Sequence, residues 1–327
     1  MRIKRMIAAL TALALGASLC GCSGGSAEGN ADKPLVITTI FPAYDFARQV
    51  FGDTADVKML LKPGQESHSY DPSAKDIVEI TGCDLFVYNG GESDQWVESV
   101  LQAAPDINTF RMTDAVSLLD EEVSEGMQAG EHDHDEDEHD EHDHNEDEHD
   151  EEYDEHVWTS PDNAAAIVRA LGIKAMELFP DNSEELATNT EMYASQIDNV
   201  DEQLRQLLDG EKRYFIFGDR FPLLYFFKNY GLNYYAAFPG CGSETEPSAQ
   251  TVTFLLDKLE QPDAVKAVFC IELSGRKLAD VLAQDSGLDV VEFHPCHNIS
   301  ADDLAAGETY VSLMLRNKQM LERVLVN

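Results

Sequence analysis

Ten histidines stand among the 327 residues, and six of them (His132, His134, His139, His142, His144 and His149) share one tract with carboxylates. Imidazole nitrogen binds Zn²⁺, Ni²⁺ and Cu²⁺ well, so the tract can collect such ions. It contains no apolar residue to offset the entropy of ordering it. It is therefore predicted to be a solvated loop with an accessory role in metal capture. The other four histidines are predicted to lie in loops. His68 falls in the turn-rich stretch Lys62 to Pro72, and His156 closes the acidic segment just before a helix. His294 and His297 flank Pro295-Cys296 after the last predicted strand. One such residue alone would more often be a surface or core histidine. Four in loops, none on a helix stripe, read as a candidate ligand set for a divalent transition metal.

Other chemistries fit less well. Seventeen acids and no base lie between Glu131 and Glu155, leaving near −22 of the −39 formal charge to the rest. Nucleic-acid binding needs clustered Lys and Arg, whereas this acidity suits a cation partner. A zinc hydrolase would need an open coordination position and a general base. The chain has no His-Glu-x-x-His run and no Gly-x-Ser-x-Gly elbow. Glu244 and Glu246 precede a predicted helix, where carboxylates commonly cap. The chain is read as a binding protein and not an enzyme.

The elements that must position these loops alternate. Leu35–Ile40, Val57–Leu61, Leu85–Tyr88, Tyr214–Phe217, Val265–Phe269 and Val290–Phe293 read as strands, with amphipathic helical patterns between them. Tyr193, Ile197, Val200, Leu204 and Leu207 form one apolar stripe on a helix that opens at Asn182 and Glu185 as a capping pair. The expected fold is α/β: two lobes, each a mostly parallel sheet flanked by helices, joined by one long interlobe helix. The expected divisions are an N-terminal lobe over 34–180 with a disordered His- and acid-rich insert at 120–155, a linking helix over 181–210, and a C-terminal lobe over 211–327. Open parallel sheets bind ligands beyond the carboxyl ends of their strands, and His68, His294 and His297 follow predicted strands.

Ahead of these lobes, Arg2, Lys4 and Arg5 precede the apolar run Met6–Leu19. That run is shorter than the roughly 20 residues of a spanning helix and has the order of an export signal. Leu19-Cys20-Gly21-Cys22 resembles a lipoprotein cleavage box, giving a signal peptide over 1–21, lipidation at Cys22 and a linker over 22–33. An ordinary signal peptide with incidental cysteines is the alternative. Four cysteines follow: Cys83, Cys241, Cys270 and Cys296. An even count in an exported chain reads as candidate disulfides, with three pairings open.

Several motifs together resemble the zinc- and manganese-binding solute-binding lipoproteins of ABC importers, a family that includes some adhesins. They are Pro63-Gly-Gln-Glu-Ser-His68 with Asp71-Pro72, His156-Val-Trp-Thr-Ser-Pro161, Tyr230-Gly-Leu232, Glu244–Pro247, and Gly307-x-x-Tyr310 with Met314 and Asn317. The resemblance spans about residues 34 to 325. It implies a lipid-anchored, extracytoplasmic, monomeric receptor that captures Zn²⁺ between the lobes as cargo and passes it to a membrane permease. A manganese receptor, or an adhesin or metal buffer, are the alternatives. By position the resemblance assigns metal ligation to His68 and His156. The family's third ligand, a His ten residues before the Tyr-Gly-Leu, is replaced by Arg220, which cannot ligate. His294 occupies the place of the fourth. His297 is the first candidate to fill the gap and Asp219 the second, with Arg220 then a partner to the carboxylate. The resemblance also suggests a Cys241–Cys296 disulfide, with Cys296 as a thiolate ligand the rival reading. An imidazole-rich set favours zinc over manganese, which prefers oxygen.

Overall fold

The computed structural model of the protein describes residues 33–65, 67, 70–128, 153–240 and 246–326. The leader with Cys22, the six tract histidines, His68 and Cys241 lie outside the described residues. From Pro34 onward the described residues form one compact unit. Its first sheet comprises β1 (Leu35–Thr38), β2 (Asp56–Met59), β3 (Leu85–Tyr88) and β4 (Thr109–Arg111) in the order β2-β1-β3-β4. The second comprises β5 (Tyr214–Phe221), β6 (Asn233–Pro239), β7 (Ala264–Ile271) and β8 (Val290–Phe293) in the matching order β6-β5-β7-β8. Every pairing is parallel. Each sheet therefore has a point where the winding reverses, between β1 and β3 and between β5 and β7. Such crevices are the ligand positions of open α/β sheets.

Helices α1 (Phe41–Phe51), α2 (Ala74–Thr81) and α3 (Gln95–Ala103) serve the first sheet. Next come α4 (Pro161–Leu178) and α5 (Ser183–Leu208), then α6 (Leu224–Tyr230), α7 (Ala249–Glu260), α8 (Lys277–Ser286), α9 (Ala301–Ala306) and α10 (Tyr310–Leu325). With 26 residues, α5 is about 39 Å long. It buries Leu186, Tyr193, Ile197, Val200, Leu204 and Leu208 along one face. Its start lacks the expected cap: Asn182 makes no side-chain capping bond, and Ser183 Oγ instead donates to Pro180 O at 2.9 Å. The ends of the expected disordered insert are packed. Asp120 and Tyr153 form an antiparallel bridge, and Asp154 and Glu155 are buried.

The two lobes share one apolar core. A single cluster runs from Val36, Phe46 and Leu171 through Tyr193 and Val200 to Phe215, Phe269 and Leu313. Within it sits a charged node, Asp45 on α1, which is fully buried. Its Oδ2 accepts from the Tyr193 hydroxyl of α5 and from the Tyr310 N–H of α10 at 2.8 Å. Its Oδ1 pairs with Arg48 at 2.7 Å. One carboxylate thus ties together the first lobe, the linking helix and the last helix. Stranding a buried donor costs about 1–3 kcal/mol, and Asp45→Ala would strand at least two. Urea unfolding of the metal-free protein should show a loss of about 3 kcal/mol or more for Asp45→Ala, and a smaller loss for Asp45→Asn, which keeps one acceptor oxygen.

Candidate metal centre

His156 ends the returning arm of the insert, one residue before a single 3-10 turn (Val157–Thr159). That turn feeds α4, whose start is set by Pro161 in the first turn and by Ser160 Oγ accepting from Asn163 N–H. Wholly buried, His156 has its backbone N–H and its ring Nδ1 on the same oxygen, Asp154 Oδ1, at 2.8 and 3.0 Å. An ionised carboxylate can only accept, so in the neutral ring Nδ1 holds the proton and Nε2 keeps the lone pair that a metal needs. Burial works against charge on this ring, but the Asp154 and Glu155 carboxylates outweigh it and raise the pKa above its ordinary value. Arg220, at the end of β5, opposes them.

The loop after β3 fixes this segment in place. Ser93 N–H and Oγ donate to the Glu155 carboxylate, the former at 2.9 Å, and Asn89 Nδ2 donates to Glu155 O at 2.9 Å. A Cβ at Gly91 (φ 119°) would lie 2.6 Å from Glu155 Cβ, so the close approach requires glycine. On the other side Gly240 backs the His156 ring, where a Cβ would come within 3.2 Å of Cε1.

His297 reaches the same place from the second lobe. Its ring centroid lies 5.3 Å from that of His156, edge-on, and 5.2 Å from that of Trp158. Its Nε2 is 2.7 Å from Ser67 Oγ, the neighbour of His68 in the chain. The loop after β2 and the loop after β8 are further joined by Gly64 N–H to Ile299 O at 3.0 Å and by Asn298 Nδ2 to Gln65 O. Trp158 Nε1 donates to Pro295 O at 2.9 Å, and Tyr310 Oη donates to Trp158 O at 2.8 Å. The structure thus brings together His156, His297 and Ser67 where the lobes meet.

Two other candidates, His294 and Asp219, have protein hydrogen-bond partners. His294 exchanges backbone bonds with Asn317, at 2.8 Å for N–H to Oδ1 and 2.7 Å for Nδ2 to O. Its Nδ1 accepts the Cys296 N–H at 3.0 Å, so in the neutral ring the proton is on Nε2 and the lone pair is already used. Asp219, the alternative ligand, takes the Arg220 N–H on Oδ1 at 2.8 Å and the Ile271 N–H on Oδ2 at 3.1 Å. It fastens β5 to β7. Cys241, the expected disulfide partner of Cys296, lies outside the described residues; Cys296 is a free, buried thiol. Its left-handed backbone (φ 58°) turns the side chain into the core, with Sγ 3.7 Å from His294 O.

Asp154 was not singled out by sequence reasoning, because it is one of 17 acids in its segment. Its place two residues before a loop histidine was the available signal. Glu272, after β7, was also missed. It is buried, its carboxyl held well above the usual range by desolvation, with Oε1 3.8 Å from His294 Nδ1. Among the described residues no three His, Cys, Asp or Glu side chains converge closely enough to hold an ion.

The family model described as "Zinc-uptake complex component A periplasmic" matches residues 36–324. The high-affinity zinc uptake system protein ZnuA of Bacillus subtilis is 31% identical over 310 residues, 94% of this chain and 93% of that protein. The zinc-binding lipoprotein AdcA of Streptococcus pneumoniae is 29% identical over 325 residues, or 98% of this chain. The chain spans only 60% of that relative's length. The crystal structure of the Zn(II)-bound ZnuA-like domain of the same AdcA matches with a TM-score of 0.71 at 26% identity, over 89% of this chain and 98% of that one.

Burial holds the His294 pKa down at about 4, against 6.5 for the free side chain. Between those values the unfolded chain takes up a proton that the folded chain refuses. Stability should therefore fall as pH drops from about 6.5 to about 4, by up to about 3 kcal/mol from this residue. Urea unfolding at pH 7.5, 5.5 and 4.5 should show a shallower decline for His294→Gln than for the wild type.

Proposed function

The chain belongs to the zinc-uptake complex component A family, and we propose on that footing that it is an extracytoplasmic receptor for Zn²⁺. It takes up the ion between its lobes as cargo and passes it to the permease of an ABC importer. The observation that carries this reading is the pairing of His156 with His297 at the interlobe seam, His156 being held by Asp154 in the ligand-ready tautomer. His156 Nε2 is the anchor. His297 exchanges its Ser67 partner for the ion, and His68, next to Ser67, is the third donor. His294 supports the loop from behind. Imidazoles with few carboxylates suit zinc better than manganese. Cys22 carries the lipid that keeps the protein, a monomer, at the membrane, and the tract from His132 to His149 gathers ions for the seam.

The reading requires one tight site that survives loss of the tract. In titration calorimetry with ZnCl₂, deletion of residues 131–150 should remove weak binding and leave a single tight site. His156→Ala and His297→Ala should each weaken that site by at least about 100-fold, beyond the 10–100-fold usual for losing an outer-shell partner. Loss of tight binding on deleting the tract, or unchanged affinity in both histidine variants, would defeat the proposal.

A further inference from the structure

The insert leaves and re-enters the fold through a narrow neck. Leu119 O accepts the Asp154 N–H at 2.9 Å, and Asp120 bridges to Tyr153. Tyr225, on α6 of the second lobe, lies against this neck and is 4% exposed. Its hydroxyl accepts the Leu119 N–H at 3.0 Å and donates to Asp154 O at 2.8 Å, one bond to each arm. A buried tyrosine needs only one partner for its hydroxyl. Here it has two, and one is the backbone of the residue whose carboxylate orients His156. From Tyr225 Oη to His156 Nδ1 the path passes through the single residue Asp154.

The neighbouring contacts fix the neck to both lobes. On the outgoing arm, Glu122 pairs with Lys228, three residues beyond Tyr225 in α6, at 2.6 Å. Gln128 N–H donates to Ala237 O of β6 at 2.9 Å, and Gln128 Oε1 accepts the Ser248 N–H at the start of α7 at 2.6 Å. On the returning arm, Arg111 Nη2 donates to Tyr153 Oη at 2.6 Å. The chain on either side of Asp154 is therefore held, and Tyr225 is the contact at which the second lobe grips that residue itself.

We propose that Tyr225 is a positioning residue for metal capture: through Asp154 it sets the ring of His156, so that the neck of the insert and the ligand move as one unit with the second lobe. This rests on the reading of His156 as a zinc ligand. A packing role alone would be met by the phenylalanine ring, which makes Tyr225→Phe the informative change.

Two readouts on the full chain separate the roles. The imidazole nitrogens of His156 in the metal-free protein, followed by ¹⁵N–¹H correlation at alkaline pH where the ring is neutral, report the tautomer without any metal. Calorimetry with ZnCl₂ reports affinity. In Tyr225→Phe we expect the single Nδ1–H form of the wild type to give way to a mixture, and the zinc Kd to rise about 10-fold. In Asp154→Asn, adding Tyr225→Phe should cost little more, because two residues acting through one contact are not additive. Wild-type tautomer and affinity in Tyr225→Phe would overturn the proposal even if its melting temperature fell. So would a change in either readout without the other, or full additivity with Asp154→Asn. His156→Ala is run alongside: wild-type zinc affinity there would remove the ligand reading itself, and the proposal with it.

Discussion

The indole of Trp158 is the joint on which the arrangement turns. Its N–H reaches Pro295 O in the second lobe, and the backbone carbonyl of Trp158 takes the Tyr310 hydroxyl. Its ring lies 5.5 Å from that of His156 and 5.2 Å from that of His297. Both histidines are thus placed against one buried side chain, and neither lobe alone can hold both. A fully buried indole is among the largest apolar contributions a side chain can make, and here it also satisfies its only donor. The geometry of the seam follows from packing first and from hydrogen bonds second.

Electrostatics then set the roles of the two buried imidazoles differently. Beside His156 two carboxylates oppose the penalty of burial, and the ring keeps a raised pKa and a directed Nδ1–H. Around His294 burial and the Arg316 charge outweigh the opposing Asp303 carboxylate, its pKa falls, and a backbone N–H occupies its lone pair. The same residue type therefore points a ring N–H at a carboxylate in one place and takes a backbone N–H on its ring nitrogen in the other. The neighbours decide which, through the tautomer they allow.

Much of the frame was legible, because buried parallel strands appear as short apolar runs and α5 carries an unbroken stripe. β4 escaped notice: three half-buried residues, Thr109 to Arg111, have no pattern of their own and are defined by pairing with β3. β6 begins at Asn233 and ends at Pro239, residues that read as turn formers, and exists through its ladder with β5. At the site, residue type pointed to His156 and His297. Between His297 and His294 the chain passes through Cys296 in left-handed backbone, which the sequence did not signal. Asp154, Ser67, Trp158 and Tyr225 act across separations from 2 to 230 residues. No local periodicity records such contacts.

The shared apolar core has a mechanical consequence. Prying the lobes apart would bring buried aromatic and aliphatic surface into water, at about 25 cal/mol for each Å². The molecule is thus closer to a stiff clasp than to a jaw on a loose pivot. Any opening of the seam must draw mainly on its loops, whose backbone can shift without tearing the core. A clasp of this kind stores little elastic energy, so the work of opening its seam has to come from outside the fold.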